Sequence, residues 1–170
     1  MKPRELVGTP MVRLVPMSEE EYQEAMERAI ARHAASSVKR GDWREEAALE
    51  ESRRQLTGYR PQGRSTPGWF FTKVIDEATG DRVGEAWYSV KDQGGKVHFW
   101  VDWLTVEPPF QRRGFATEVL ERLAEEARGR GADRMALNVM SDNVAAVALY
   151  GKLGFVAISM GMVRDLSGSA

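Results

Sequence analysis

Cysteine is absent from this chain of 170 residues. That excludes disulfides, thiolate metal sites and a cysteine nucleophile together, and it fits a reducing compartment. Long apolar runs are missing too: no stretch approaches the ~20 residues that span a bilayer. The first residues, Met1-Lys2-Pro3-Arg4-Glu5-Leu6, hold no apolar core of the kind a secretion signal carries, so the expected location is the cytoplasm, with no membrane partner. An excess of one charge is also lacking. With 24 basic and 25 acidic side chains the net charge is −1, which argues against a nucleic-acid partner, since that wants a strongly basic face. Hydrophobic residues at 42% and charged residues at 29% exclude a disordered chain and point to one domain, residues 1–170, with a substantial core.

What is present changes pattern half-way. Met11 to Val15 alternates as a strand would, and Pro16 ends it. Ser18 with Glu21 forms a capping box for a helix to about Ala35. Asp42 with Glu45 repeats the signal and starts a second helix ending near Gly58. The apolar stripes of this pair, residues 18–58, are thin: Tyr22, Met26, Ala29 and Ile30, then Trp43, Ala47, Leu49 and Leu56. Two prolines and two glycines make residues 60–68 a loop. Strands follow at 69–76, 82–91 and 97–106, joined by two short turns into an antiparallel meander. Then Ala116, Val119, Leu120, Leu123 and Ala127 keep helical spacing up to Gly129, and Arg134 to Met140 reads as a strand. The unit from 97 to 140 is therefore a parallel strand pair with a right-handed crossover. A helix over 143–153 and strands over 155–159 and 160–164 complete the expectation.

Between the third strand of the meander and the next helix lies Gln111-Arg112-Arg113-Gly114-Phe115-Ala116. A strand feeding a basic, glycine-containing turn and then a helix is a ready anion site, because the first helical N–H groups lack partners and carry the positive end of the dipole. Gly114 lets the backbone come close to a phosphate, and Ala116 keeps the first turn narrow. The turn lacks the Gly-Lys-Ser/Thr ending of a P-loop.

The order of motifs resembles the GCN5-related N-acetyltransferase (GNAT) superfamily. Leu104-Thr105-Val106 leads into Glu107-Pro108-Pro109-Phe110 and then the Gln111–Ala116 turn, similar to that family's Gln/Arg-x-x-Gly-x-Gly/Ala signature. Later comes Asn143-Val144-Ala145-Ala146-Val147-Ala148-Leu149-Tyr150, closing on Leu153-Gly154-Phe155, similar to its Asn-x-x-Ala-x-x-Leu-Tyr stretch. The match covers roughly residues 96–160. The resemblance implies an α/β fold: one mixed, mostly antiparallel sheet of six to seven strands, with a splayed parallel central pair, flanked by about four helices. It implies an acetyl-CoA-dependent N-acetyltransferase, with acetyl-CoA as cosubstrate and no metal. The backbone of Leu104, Thr105 and Val106 would pair with the pantetheine arm. The turn from Gln111 through Arg112, Arg113, Gly114, Phe115 and Ala116 to Thr117 would hold the pyrophosphate. Asn143 and Ala146 would lie on the cofactor side, and Tyr150 would protonate the departing thiolate. Relatives that dimerise leave a homodimer open.

The implied chemistry is direct transfer to a primary amine, for which a small-molecule acceptor is the first expectation. A protein or peptide acceptor and a non-catalytic coenzyme A-binding module are the alternatives. The amine must lose a proton before it attacks. Asp102, interrupting an apolar strand, is the first choice of base, and burial would raise its pKa toward neutrality. Glu85 on a neighbouring strand is the second, and His98 shares strand parity with Asp102; a base acting through water stays open. Asp102 could equally be a structural partner, Asn143 a helix cap, and Tyr150 a core tyrosine. Trp69, Trp87, Trp100 and Trp103 read either as core or as an aromatic wall for a cationic amine.

Overall fold

The computed structural model describes residues 11–164 and 166. It forms two compact units, one up to Asn138 and one from Val139. The first holds five strands in chain order: β1 (Val12–Pro16), β2 (Trp69–Asp76), β3 (Arg82–Gln93), β4 (Lys96–Val106) and β5 (Ala132–Leu137). Successive strands from β1 to β4 are antiparallel, and β5 runs parallel to β4. The meander and the parallel crossover thus stand as the turn and periodicity signals require. Three helices belong to this unit: α1 (Glu19–Lys39), α2 (Glu45–Gly58) and α3 (Phe115–Gly129).

Local chemistry explains where the helices start. The Ser18 N–H donates to Glu21 at 2.8 Å and the Glu21 N–H to Ser18 Oγ at 3.1 Å, a closed capping box. The second expected box does not form. Arg44 occupies the N-cap of α2 without a side-chain bond, because the Asp42 carboxylate accepts from Arg40 Nε at 2.7 Å. The expected α2 stripe also shifts. Ala48 and Ser52 are the buried residues, while Ala47 and Leu49 face solvent. The cause is polar docking: Ser52 Oγ donates to the Ile30 carbonyl at 2.8 Å, and Arg53 forks onto Glu27 of α1 at 2.6 and 2.7 Å.

On one sheet face Tyr22, Met26, Ala29 and Ile30 of α1 close over Phe71 and Trp87, with Leu56, Trp69 and Trp103 packed at the margin. Phe70, Tyr88 and Phe99 stack in a row elsewhere in the sheet, at 4.8 and 5.0 Å between centroids. Val119, Leu120, Leu123 and Ala127 form the buried stripe of α3.

In the second unit α4 (Val144–Lys152) is helical as expected. Residues 155–159 and 160–164 are not strands, so the sheet has five strands rather than six or seven. Val156, Ile158, Met160 and Met162 alternate along the chain, but all are highly exposed. Alternation alone does not make a strand, since its N–H and C=O groups need a neighbouring ladder.

Candidate active site

The parallel pair of β4 and β5 is short. Its ladder runs from Val97 opposite Ala132 to Val101 opposite Leu137 and stops there. On its other side β4 stays paired with β3 as far as Val106 opposite Gly84. Residues 102–106 therefore keep one neighbouring strand and lose the other. At this point the β3–β4 register shifts: Trp87 faces Trp103 and Tyr88 faces Val101, which leaves Asp102 as the extra residue of a bulge. A bulge bends its strand and sharpens the twist, and so turns β4 away from β5. Across the open stretch β3 approaches closely, since a Cβ on Gly84 would lie 2.1 Å from the Thr105 carbonyl oxygen.

The turn after β4 is built for close approach. A short 3₁₀ turn (Pro108–Phe110) leads to Gln111, whose Nε2 donates back to the Val106 carbonyl at 2.9 Å. Arg112 has φ 62° and Gly114, at the N-cap of α3, has φ 91°. No side chain caps this end, so the amides of Phe115, Ala116 and Thr117 open the helix without intrahelical acceptors. Arg113 rests against the rings of Phe110 and Phe115, at 5.6 and 5.4 Å. Arg112 is exposed.

Asp102 belongs to the face that carries α1 and α2. Residues in register share a face, so Trp69, Ser89 and Trp100 form one rung and Phe71, Trp87 and Trp103 the next. Asp102 opens to solvent on one side, and on the other the atoms around it raise its carboxyl above the usual range. Desolvation is the main cause, and a hydrogen bond with Ser89 and the charges of Arg60 and Lys91 oppose it. The four tryptophans divide between the two expected roles: Trp87 is core at 1% exposure, and Trp69, Trp100 and Trp103 are partly open on this face.

Glu85 is differently placed. It is buried, and its oxygens accept from the Trp103 indole N–H at 3.1 Å, from Arg28 of α1 at 3.1 Å and from Arg82 at 2.9 Å. Those three donors engage the lone pairs that a base would have to offer. Beside it, Arg32 donates to Thr105 Oγ1 at 3.3 Å and lies 5.3 Å from the Trp103 ring. An open cavity of about 480 Å³ occurs here, lined by Arg28, Arg82, Glu85, Thr105, Glu107 and Pro108 among others. A larger recess of about 770 Å³ along β1, β2 and α3 contains none of these residues. His98 is exposed opposite Lys91.

In the second unit the Asn143 side chain caps α4 by accepting from the Ala146 N–H at 3.3 Å. The Tyr150 ring lies 5.6 Å from Phe155, and the Phe155 N–H donates to the Tyr150 carbonyl at 3.0 Å. Burial pushes the Tyr150 phenol up.

The open strand end, the bulge and the uncapped helix all lie within one stretch that matches a family model. Residues 22–155 match the acetyltransferase (GNAT) family model. The chain belongs to the GNAT family. It is an acyltransferase of that family, whose members use acetyl-CoA. Among its GNAT relatives, the uncharacterized N-acetyltransferase YdgE of Bacillus subtilis is 28% identical over 153 residues, 90% of this chain and 97% of YdgE. The crystal structure of the acetyltransferase YycN from the same organism superposes with a TM-score of 0.85 at 25% identity, covering 92% of this chain and 99% of YycN. A shorter stretch of 52 residues, 31% of this chain, is 46% identical to the ribosomal protein bS18-alanine N-acetyltransferase of Salmonella typhimurium and covers 35% of that enzyme.

Three arginines of this GNAT chain carry no signal in the sequence: Arg28, Arg32 and Arg60. Helix periodicity places the first two on the charged side of α1, and nothing in the pattern says that this side meets β3 and β4. Arg60 stands in a proline- and glycine-rich loop, where an arginine ordinarily points to water. Among the described residues no group of three or more acidic or imidazole side chains could hold a metal, and no helix is long and apolar enough to cross a membrane.

Proposed function

We propose that this chain transfers the acetyl group of acetyl-CoA directly to the primary amine of a small molecule, in a complex holding both substrates. The observation that carries this reading is the end of the β4–β5 ladder at Val101, one residue before the Asp102 bulge, on a strand that runs into an uncapped helix. An extended arm fits the freed edge at Leu104, Thr105 and Val106. A diphosphate fits the amides of the turn from Gln111 to Thr117, with Arg112 and Arg113 adding charge. When bound there, the cosubstrate supplies an activated acetyl group as a thioester.

The chain's own residues then divide the work. Asp102 takes a proton from the ammonium form of the acceptor, and desolvation, which raises its pKa, makes it a stronger base than an ordinary aspartate. The backbone N–H near Leu104 donates to the carbonyl oxygen as charge builds on it. Tyr150, kept protonated by its raised pKa, donates a proton to the sulfur as the C–S bond breaks, and the phenolate takes back the second proton that the nitrogen sheds in becoming an amide. Asn143 and Ala146 support the cofactor side, although their mutual bond already serves as the helix cap. Glu85, bonded to three donors, is the weaker candidate for base. Direct transfer needs no metal and no covalent enzyme intermediate. The reading includes a cytoplasmic setting, one catalytic domain over residues 1–170, and neither nucleic acid nor membrane as partner.

A second reading is acetylation of a protein or peptide, favoured by the local identity to the bS18-alanine enzyme. An acceptor screen with free coenzyme A as readout separates the two. Release with small amines but not with peptides is expected; the reverse would overturn the small-molecule assignment. A thermal shift with acetyl-CoA tests the cofactor half independently, because a ligand of the native state alone must raise apparent stability.

A further inference from the structure

Arg60 is only 7% exposed. Its Cζ lies 4.1 Å from the Trp69 ring centre, with Trp87 and Phe71 at 5.8 and 5.9 Å. Nη1 donates to the Leu56 carbonyl at 2.8 Å. Nε is enclosed and has no hydrogen-bond partner, and the indole N–H of Trp87 beside it has none either. No carboxylate is bonded to this guanidinium. The opposite charge acting on it is Asp102, through space.

A buried cation without a bonded anion is costly, and proteins normally pair such groups. Part of the cost is met locally. The ring of Trp69 attracts the cation, and the carbonyl ends of α2 face a positive charge. Those contacts explain why an arginine is tolerated at this helix end. They leave Nη2 without a partner and not enclosed, a charged N–H donor open to one carboxylate oxygen.

We propose that Arg60 recognises a carboxylate on the acceptor, so that the amine acetylated by this enzyme belongs to a free amino acid or a similar amino-carboxylate. The inference rests on the reading of Asp102 as the base. The two charges then complement a zwitterion end to end: carboxylate at Arg60, ammonium at Asp102, with partly open tryptophan rings along the same face. A peptide N-terminus presents an amide where the carboxylate belongs and leaves Arg60 unpaired. A simple alkylamine does the same.

The test pairs each of a panel of α-amino acids with its own carboxamide, which keeps the amine and removes the negative charge. Coenzyme A release is measured for wild type, Arg60→Met and Arg60→Lys, alongside thermal shifts with acetyl-CoA and with each acceptor alone. Wild type is expected to favour the carboxylate by ~10²-fold in kcat/KM, the scale set by loss of one partner from a buried charge pair. Arg60→Met is expected to lose most of that preference while keeping its acetyl-CoA shift, and Arg60→Lys to recover part of it. Equal or better use of carboxamides by wild type, or an undiminished preference in Arg60→Met, overturns the proposal. If acetyl-CoA stabilises the protein but neither member of any pair is acetylated or gives a shift, the carboxylate assignment fails and the cofactor reading stands. If acetyl-CoA gives no shift, the cofactor reading fails, and a shift with carboxylates but not carboxamides still decides Arg60.

Discussion

The indole N–H of Trp103 donates to Glu85 across the β3–β4 ladder, while the Trp103 ring stacks on Trp87 at 5.4 Å. Arg28 brings α1 to the same carboxylate, so one buried acid joins a helix and both strands beside the bulge. Replacing Glu85 by Ala strands three donors. The expected loss is ~2–3 kcal/mol, below the figure for a fully buried pair because Arg28 is half exposed. Glu85→Gln keeps one acceptor oxygen for Trp103 and should lose less. Urea unfolding of both variants measures the difference. Equal losses would mean that the negative charge, not the indole bond, is what Glu85 contributes.

Asp102→Asn should lower kcat by ~10²–10⁴-fold, the range for loss of a positioned base. Stability should move the other way. Burial raises the folded-state pKa of Asp102 above its unfolded value, so its favourable contribution is complete below the unfolded pKa and is lost as pH rises through the folded one. At pH 8 the ionised carboxylate therefore costs stability, and the asparagine variant should melt higher than wild type. Near pH 3.5 the two should converge. Melting curves at both pH values decide it; a variant less stable at pH 8 would show that Asp102 is a structural ion partner.

How much of this could be read from the sequence depends on whether each residue's partner is near in the chain. Ser18 and Glu21 lie three apart and cap α1 as their spacing requires. The Gln111–Ala116 turn was legible for the same reason, since strand, turn and helix are contiguous. Asp102 was visible as a polar break in an apolar strand, but the bulge that explains it was not, because a bulge exists only relative to β3. Glu85 looked like a spare carboxylate until Arg28, 57 residues earlier, was seen beside it. Asp42 failed as a cap because Arg40, two residues away, competes for it. The strands expected after Phe155 failed because alternation encodes a face and not a neighbour.

Gly114→Ala tests the turn. At φ 91° a Cβ is strained, with a cost of ~1–2 kcal/mol. The larger effect should fall on acetyl-CoA, since the added methyl stands where the proposed diphosphate site needs the backbone to come close. KM for acetyl-CoA should rise at least ~10-fold with kcat changed much less, the pattern of lost uniform binding. An unchanged KM would remove this turn from the binding site.

Tyr150→Phe removes the proposed acid and keeps the ring against Phe155. Turnover should fall ~10²-fold or more, with little change in the acetyl-CoA thermal shift. Because burial raises the phenol pKa, wild-type kcat should hold into the alkaline range before it drops. A fully active phenylalanine variant would leave the leaving thiolate to solvent.

The vacant flank of β4 depends on a single supernumerary residue. Excising residue 102 would keep Trp103 opposite Trp87 and Thr105 opposite Glu85, each on its present face, and would take the bend out of β4. The straightened strand would then be free to pair further along β5. The cosubstrate groove proposed for this molecule is thus the geometric by-product of one extra residue.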